Sequence, residues 1–333
     1  MANGKIGFFL VLLILAGLVI YFHAGRESVT EMRLMMDTMI LIRAYGAEKA
    51  ARSAIDRGFA EFARVEKSAS IHLPDSEATK LNQSLNLEPS TLMRDLLGHT
   101  AKAFEQTRGF FDPTFAVLQK AYGFYDPNRI GRQPEEAEIG QLLEKTGLKK
   151  RVVFAENGNI SMASGTILDY GGIAGGYAVK LAARAMRESG CAAFLIDDAG
   201  DIWFEGSKPD GSAWKISIRD PRDNSALAVI ESRLPVAIST SGSYERFVEV
   251  DGKKLGHIMN PFNGRPVDYY QSVTVIASDP VDADVFSTAA FAMPENEALS
   301  WTEQMGVPAL FLTNDNRLLI NKVGSSWFKN QKQ

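Results

Sequence analysis

The sequence predicts an α+β fold of mixed sheets with flanking helices. Two observations carry this: apolar residues recur at helical spacing through the first half of the chain, and shorter strand-like runs dominate after about residue 150. A third is negative. No regular alternation of strand and helix, the mark of a parallel sheet, is evident.

Ala47 to Lys67 reads as the first helix of the body, with Ala51, Ile55, Phe59, Phe62 and Val65 on one stripe. Ser90 is placed to cap a second, which carries Leu92, Met93, Leu96, Leu97, Ala103 and Phe104 and stops at Gly109. A third starts at Pro134-Glu135-Glu136, where proline suits the first turn and acids suit the positive end of the helix dipole, and ends near Gly147. Val152-Val153-Phe154 and Ile160-Ser161-Met162 flank Asn157-Gly158, a favoured two-residue hairpin turn. Further strands are expected over residues 194–196, 214–218, 246–250, 273–277 and 309–312, interrupted by helices over 177–189 and 284–293.

Composition narrows the function classes. The chain has 333 residues, with 36 basic against 40 acidic side chains and a net charge of −4. Hydrophobic residues make up 45% and charged residues 23%, ordinary globular values that exclude a disordered, collagen-like or disulfide-scaffolded chain. The near-neutral balance argues against a general nucleic-acid binder. The single cysteine, Cys191, excludes an internal disulfide and a cysteine-based zinc cluster.

One segment departs from those averages. Ile6 to Phe22 (IGFFLVLLILAGLVIYF) is an uncharged, mostly apolar run preceded by Lys5. As a helix it reaches roughly 26 Å, the short end of a bilayer span. Its exit, Tyr21-Phe22-His23-Ala24-Gly25, offers no small-x-small cleavage site, and no cysteine follows to carry a lipid. An uncleaved membrane anchor fits best; a cleaved signal is the alternative. Either exports the body, from residue 26 to 333.

Four segments are candidates for chemistry. Asp169-Tyr-Gly-Gly-Ile-Ala-Gly-Gly-Tyr177 has four glycines that let backbone approach a ligand, and a following helix N-terminus suited to an anion; a tight strand-to-helix turn explains it equally. Asp284, Ser287 and Thr288 share one helix face, which suits a hard cation such as Mg2+, while Asp284 at the helix start also reads as a cap. His257 lies between a strand-like run and a Pro/Asn/Gly turn, a place for a proton-transfer group or for a structural histidine. In Gly109-Phe-Phe-Asp-Pro-Thr114, Phe110 and Phe111 face either a planar ligand or the core.

In series, these segments resemble the FAD:protein FMN transferase family, often called ApbE-like. The resemblance is carried by Met36-Asp37-Thr38, similar to the family's opening strand, and by Pro74 to Asn82. Phe111-Asp-Pro-Thr114 with Tyr122-Gly-Phe124, Asp169 to Tyr177, Ala199-Gly-Asp-Ile202, Ser239 to Phe247, His257 to Pro266 and Ala283 to Thr288 supply the rest. The resemblance implies an ApbE-like, T-fold-related catalytic domain over residues 26–333, behind an anchor over 1–25. It implies that FAD is the substrate, that Mg2+ assists, and that FMN is joined through its phosphate to a Thr or Ser hydroxyl of a partner protein while AMP leaves. By the same analogy Asp284, Thr288 and the backbone carbonyl of Gly172 hold the metal, with Ser287 assisting. Met36, His72, Phe110, Phe111, Asp112, Asp169, Gly175 and Ile258 match flavin contacts, and His257 matches the residue that takes the acceptor's proton. The implied acceptor is a subunit of a membrane electron-transport complex, met on the outer side of a bacterial inner membrane.

Three positions depart from the family's pattern. Gly175 stands where a lysine is usual, Asn260 where an aspartate is usual, and His72 where an aromatic stacking residue is common. Two other functions stay compatible with the same residues: an FAD pyrophosphatase releasing FMN and AMP, and a non-catalytic periplasmic flavin-binding protein.

Overall fold

A computed structural model describes residues 28–126, 130–155, 158–244 and 246–330. The apolar run 6–22 and Asn157 of the expected hairpin turn lie outside the described residues. No described helix is long and apolar enough to cross a membrane.

The main sheet has eight strands: β1 (Ser28–Met35), β2 (Thr38–Tyr45), β3 (Phe194–Asp198), β4 (Asp201–Glu205), β5 (Val236–Gly242), β6 (Tyr270–Ala277), β7 (Ala309–Thr313) and β8 (Leu318–Ile320). Their order across the sheet is their order along the chain, and every neighbouring pair is antiparallel. The α+β reading therefore holds as an antiparallel meander interrupted by long insertions.

Three helices cover one face: α1 (Glu48–Ala69), α2 (Ala174–Glu188) and α3 (Pro280–Ala292). α1 follows its apolar stripe, burying Ala51, Ile55, Phe59, Phe62 and Val65. α3 is buried almost all round, with Val281, Val285, Phe286 and Phe291 inside, because it lies between the sheet and its helical neighbours. On the opposite face a three-stranded sheet of Trp214–Arg219, Ala226–Ser232 and Lys329–Asn330 closes a second core around Phe204, Ile216, Ile230 and Leu310. A third cluster joins Leu118, Tyr122, Ile139, Val248 and Met259 from the two insertions beside the cavity.

Several local expectations change. Met36 and Asp37 are not strand residues; they form the turn between β1 and β2, with φ of 52° and 63°. Positive φ at both central residues matches the twist of a two-residue hairpin. The helix expected to end near Gly147 ends at Leu143, and Leu148–Arg151 forms a separate turn after Gly147, whose φ is 101°. The cap of α3 is Asp279, whose Oδ1 accepts from the Val281 N–H at 2.9 Å. Asp284 lies a turn further in and is buried, so capping does not explain it. Ser90 caps the helix Thr91–Gln106 as expected, accepting from the Met93 N–H at 3.2 Å. Val152–Phe154 and Ile160–Met162 pair antiparallel.

Candidate active site

A cavity of about 370 Å3 opens where the β1–β2 turn, the N-terminal end of α2, the β3–β4 turn, α3 and the Asn260 loop meet. Eleven of the expected site residues line it: Met36, Phe110, Phe111, Asp112, Asp169, Gly172, Gly175, His257, Ile258, Asp284 and Thr288. They come from segments far apart in the chain.

Two expected residues stand elsewhere. His72 is exposed, and its ring lies 6.0 Å from that of Tyr125 at a tilt rather than on the cavity wall. Ser287 lies behind the wall and is fully buried. Its hydroxyl donates to the Asp284 carbonyl at 2.9 Å and meets the hydroxyls of Ser239 at 2.9 Å and Ser241 at 2.8 Å. Those bonds satisfy the oxygen and pin α3 to β5, so Ser287 positions Asp284 and Thr288 instead of facing the cavity.

His257 has a defined tautomer. Its Nδ1 lies 3.1 Å from the Arg246 carbonyl, which can only accept, so Nδ1 carries the proton and Nε2 is left with its lone pair. Burial, reinforced by the Arg246 charge, lowers the imidazole to about 4. The ring is therefore neutral at pH 7. Asn260, in place of the usual carboxylate, accepts from the Phe262 N–H at 2.9 Å through Oδ1. An amide oxygen thus holds the loop in which a carboxylate is usual.

Asp112 Oδ1 accepts from the Thr114 N–H at 2.9 Å and hydroxyl at 2.7 Å, and its Oδ2 accepts from the Leu148 N–H at 3.3 Å. Phe110 and Phe111 belong to the main core and also line the cavity, so both of their readings apply together. Asp169 accepts from the Tyr125 hydroxyl at 2.6 Å and from the Gly171 N–H at 2.9 Å.

At the other end, glycines let carboxylates crowd the start of α2. A Cβ on Gly175 would sit 3.1 Å from Asp198 Oδ2, 3.2 Å from Asp201 Oδ2 and 3.7 Å from Asp284 Oδ2. The Gly176 N–H, expected to be open to an anion, instead donates to Asp284 Oδ2 at 2.9 Å. Burial and the neighbouring acids raise Asp198 to about 8, and burial raises Asp201 to about 6. Asp198 Oδ1 is buried without a hydrogen-bond partner. The sequence marked the segments that hold Asp201 and Ser239 to Phe247 without giving Asp201, Ser239, Ser241 or Arg246 a role, and did not mark Asp198; all five line the cavity. A signal existed for Asp198: period-two alternation through Phe194, Ile196 and Asp198 places it on the buried face of β3.

Among the described residues no group of three His, Cys, Asp or Glu side chains is arranged to hold a metal by itself. The set Gly172, Asp284 and Thr288 is of another kind, one carboxylate with a hydroxyl and a carbonyl. A Cβ on Gly172 would lie 3.7 Å from Thr288 Oγ1, so this backbone and that hydroxyl are neighbours. All-oxygen donors beside an orphaned buried carboxylate oxygen fit a hard divalent cation.

Comparison with known proteins decides the family. A sequence model of the ApbE family matches residues 36–311. The chain belongs to the ApbE family. It is 28% identical over 255 residues to the FAD:protein FMN transferase of Escherichia coli strain K12, covering 74% of this chain and 72% of that one. It is 28% identical over 289 residues to the enzyme of the same name from Vibrio cholerae serotype O1, covering 84% of each. Among solved structures, the ApbE protein of Thermotoga maritima superposes with a TM-score of 0.86 at 26% identity, over 91% of this chain and all of that one. The apo flavinyl transferase ApbE of Pseudomonas stutzeri gives 0.81 at 25% identity, over 92% and 98%. This ApbE-family chain is thus a flavin-transferase-type enzyme by family, and its cavity lies within the matched region.

Proposed function

We propose that the chain transfers FMN from FAD to a Thr or Ser hydroxyl of an acceptor protein, with Mg2+, and releases AMP. The observation that carries this is one cavity joining a histidine with a bare Nε2, two phenylalanines and an oxygen set suited to a hard cation. In this reading the acceptor oxygen attacks the FMN-side phosphorus, and the bond to the AMP phosphate oxygen breaks. The hydroxyl proton passes to Nε2 of His257. An incoming diphosphate places negative charge beside the ring and raises its basicity above that of the empty site. Phe110 and Phe111 offer flat apolar surface to the isoalloxazine ring. Gly172, Asp284 and Thr288 would hold the metal, which when bound offsets charge developing on the diphosphate. Ser287, through Ser239 and Ser241, keeps two of those ligands in place.

The apolar run 6–22 supports a membrane tether, with the catalytic body on the outer side of a bacterial inner membrane. A subunit of a membrane electron-transport complex suits a transferase held there.

The test incubates the protein with FAD, Mg2+ and an acceptor bearing a Thr-containing motif. Flavin fluorescence on the acceptor in a denaturing gel is the expected result. Free FMN and AMP without labelling would assign a pyrophosphatase, and intact FAD throughout would assign a flavin-binding protein. Asp284→Ala should abolish metal-dependent turnover; unchanged activity sinks the metal assignment.

A further inference from the structure

The β1–β2 hairpin buries one face in the core and leaves large apolar side chains exposed on the other. Register pairs Met32 with Leu41 and Leu34 with Met39, so these four side chains share one face. On the other face Glu31 and Arg33 turn toward α1, where Arg33 meets Asp56 at 2.5 Å and stacks over Phe59 at 4.2 Å, and Arg52 meets Glu31 at 3.1 Å. These charges lie beside Ile40, Ile42 and Ala44, which face the main core, while toward the tip the outer face is apolar. Toward the base of this face Tyr45 meets Trp214 of the second sheet edge-on at 5.9 Å. Nearer the tip, Met32 is 57% exposed, Leu34 72% and Met39 47%. A contiguous apolar patch of this kind marks a contact surface.

The occupant follows from the size of the patch and from what precedes it. Four side chains fall well short of the roughly 800 Å2 per partner that a stable dimer buries. The apolar run ends at Phe22, with five residues between it and Ser28, and such a connection spans roughly 20 Å at most when extended. With the run in a bilayer, β1 starts within that distance of the lipid surface. A tether of this length keeps the patch at high effective concentration beside the membrane, so a surface too small to bind alone suffices. Exposed Arg43 shares the face and is placed for headgroup phosphates.

We propose that the outer face of the hairpin, formed by Met32, Leu34, Met39 and Leu41, seats on the surface of the bilayer. The tip of the same hairpin supplies Met36 and Thr38 to the cavity, so seating it sets the cavity's position relative to the membrane. The body does not swing freely on its tether. This inference rests on the anchor reading given above.

The experiment uses the full chain reconstituted in vesicles of phosphatidylethanolamine and phosphatidylglycerol. In a Cys191→Ala background, an environment-sensitive fluorophore is placed at Leu34→Cys or, at the opposite edge of the sheet, at Lys322→Cys. Brominated lipids should quench the probe at 34 and leave that at 322 unchanged. No preferential quenching at 34, in a chain that still resists alkaline carbonate extraction, overturns the seating and leaves the anchor standing. Release by carbonate overturns both. Shielding of position 34 that needs added acceptor protein and not lipid assigns the face to a protein partner, and the proposal falls. A Met32→Glu/Met39→Glu variant, carrying the same probe at position 34, should lose the quenching. It should label a soluble acceptor peptide at the parent rate, and an acceptor embedded in the same vesicles about fivefold more slowly; equal slowing of both would count against the proposal.

Discussion

His257 owes its chemistry to the Arg246 carbonyl, which fixes the proton on Nδ1, and to burial, which holds the ring neutral with its basicity lowered to about 4. If His257 is the base, kcat/KM for transfer should stay level from pH 6 to 8 and fall only below about pH 5, because protonation of Nε2 removes the acceptor for the hydroxyl proton. An acid limb near 6.5, the ordinary histidine value, would contradict the burial argument. His257→Gln should lower transfer by about 10²–10⁴ while leaving FAD binding, read by quenching of flavin fluorescence, intact. Asp198 offers a separate check. Its carboxyl is raised to about 8, so the fold holds a proton that the unfolded chain has released. That makes the fold progressively less stable as pH rises from near 4 to about 8, and the penalty is complete above that. With FAD and divalent metal removed, Asp198→Asn should therefore stabilise the protein more at pH 9 than at pH 5, by ~3 kcal/mol in urea denaturation. A pH-independent difference would show that Asp198 is ionised throughout. These two residues also mark what was legible in the site. The rarity of histidine and the Asp/Thr helix face singled out His257, Asp284 and Thr288, whereas the strand alternation at Asp198 and the block holding Asp201 gave no hint that both converge with Asp284 on Gly175.

Between elements, the decisive contact is the crossing of α2 and α3 at Gly176. A Cβ there would lie 2.5 Å from the Pro280 carbonyl oxygen and 2.7 Å from Asp284 Cβ, backbone and near-backbone atoms that cannot rotate away. Gly176→Ala should push the helices apart, cost about 1–3 kcal/mol in denaturant unfolding, and lower metal-dependent turnover by displacing Asp284. Gly175→Ala meets only carboxylate ends at 3.1 and 3.2 Å, which can turn aside, so its loss of stability should be distinctly smaller. Equal effects would show that close packing is not what these positions require. The same crossing explains why α3 was only half legible. Its apolar content betrayed a buried helix, but Asp279 and Pro280, the true cap and first turn, lie outside the stretch expected to be helical, which made Asp284 look like a cap. The β1–β2 hairpin was missed for a different reason. Glu31 and Arg33 sit on the face beneath α1, so no polar-out alternation appears, and the turn uses Met36-Asp37 where Asn-Gly would have announced it.

At the scale of the molecule, the sheet's strand order follows the chain, so an α+β meander was within reach of the sequence, while the register that brings β2, β3, β5 and α3 to one cavity was not. That convergence has an electrostatic consequence. Asp198, Asp201 and Asp284 crowd the cavity's α2 end, and the proposed substrate brings a diphosphate to the same cavity. Asp198 keeps its proton until about pH 8, so the repulsion comes first from ionised carboxylates beside it and strengthens as Asp198 ionises; FAD alone should bind weakly and a divalent cation should relieve the repulsion. The cation in turn gains ligands from the diphosphate. FAD and Mg2+ should therefore bind cooperatively, each tightening the other by the same factor. Thermal unfolding tests this, since a ligand present at 100 times its Kd stabilises by about 2.7 kcal/mol. The midpoint with both present should rise by more than the sum of the rises with each alone, and Asp284→Ala should remove the excess. Additive shifts would mean that the acid cluster and the nucleotide site act independently, and that the carboxylates around Gly175 serve something other than this substrate.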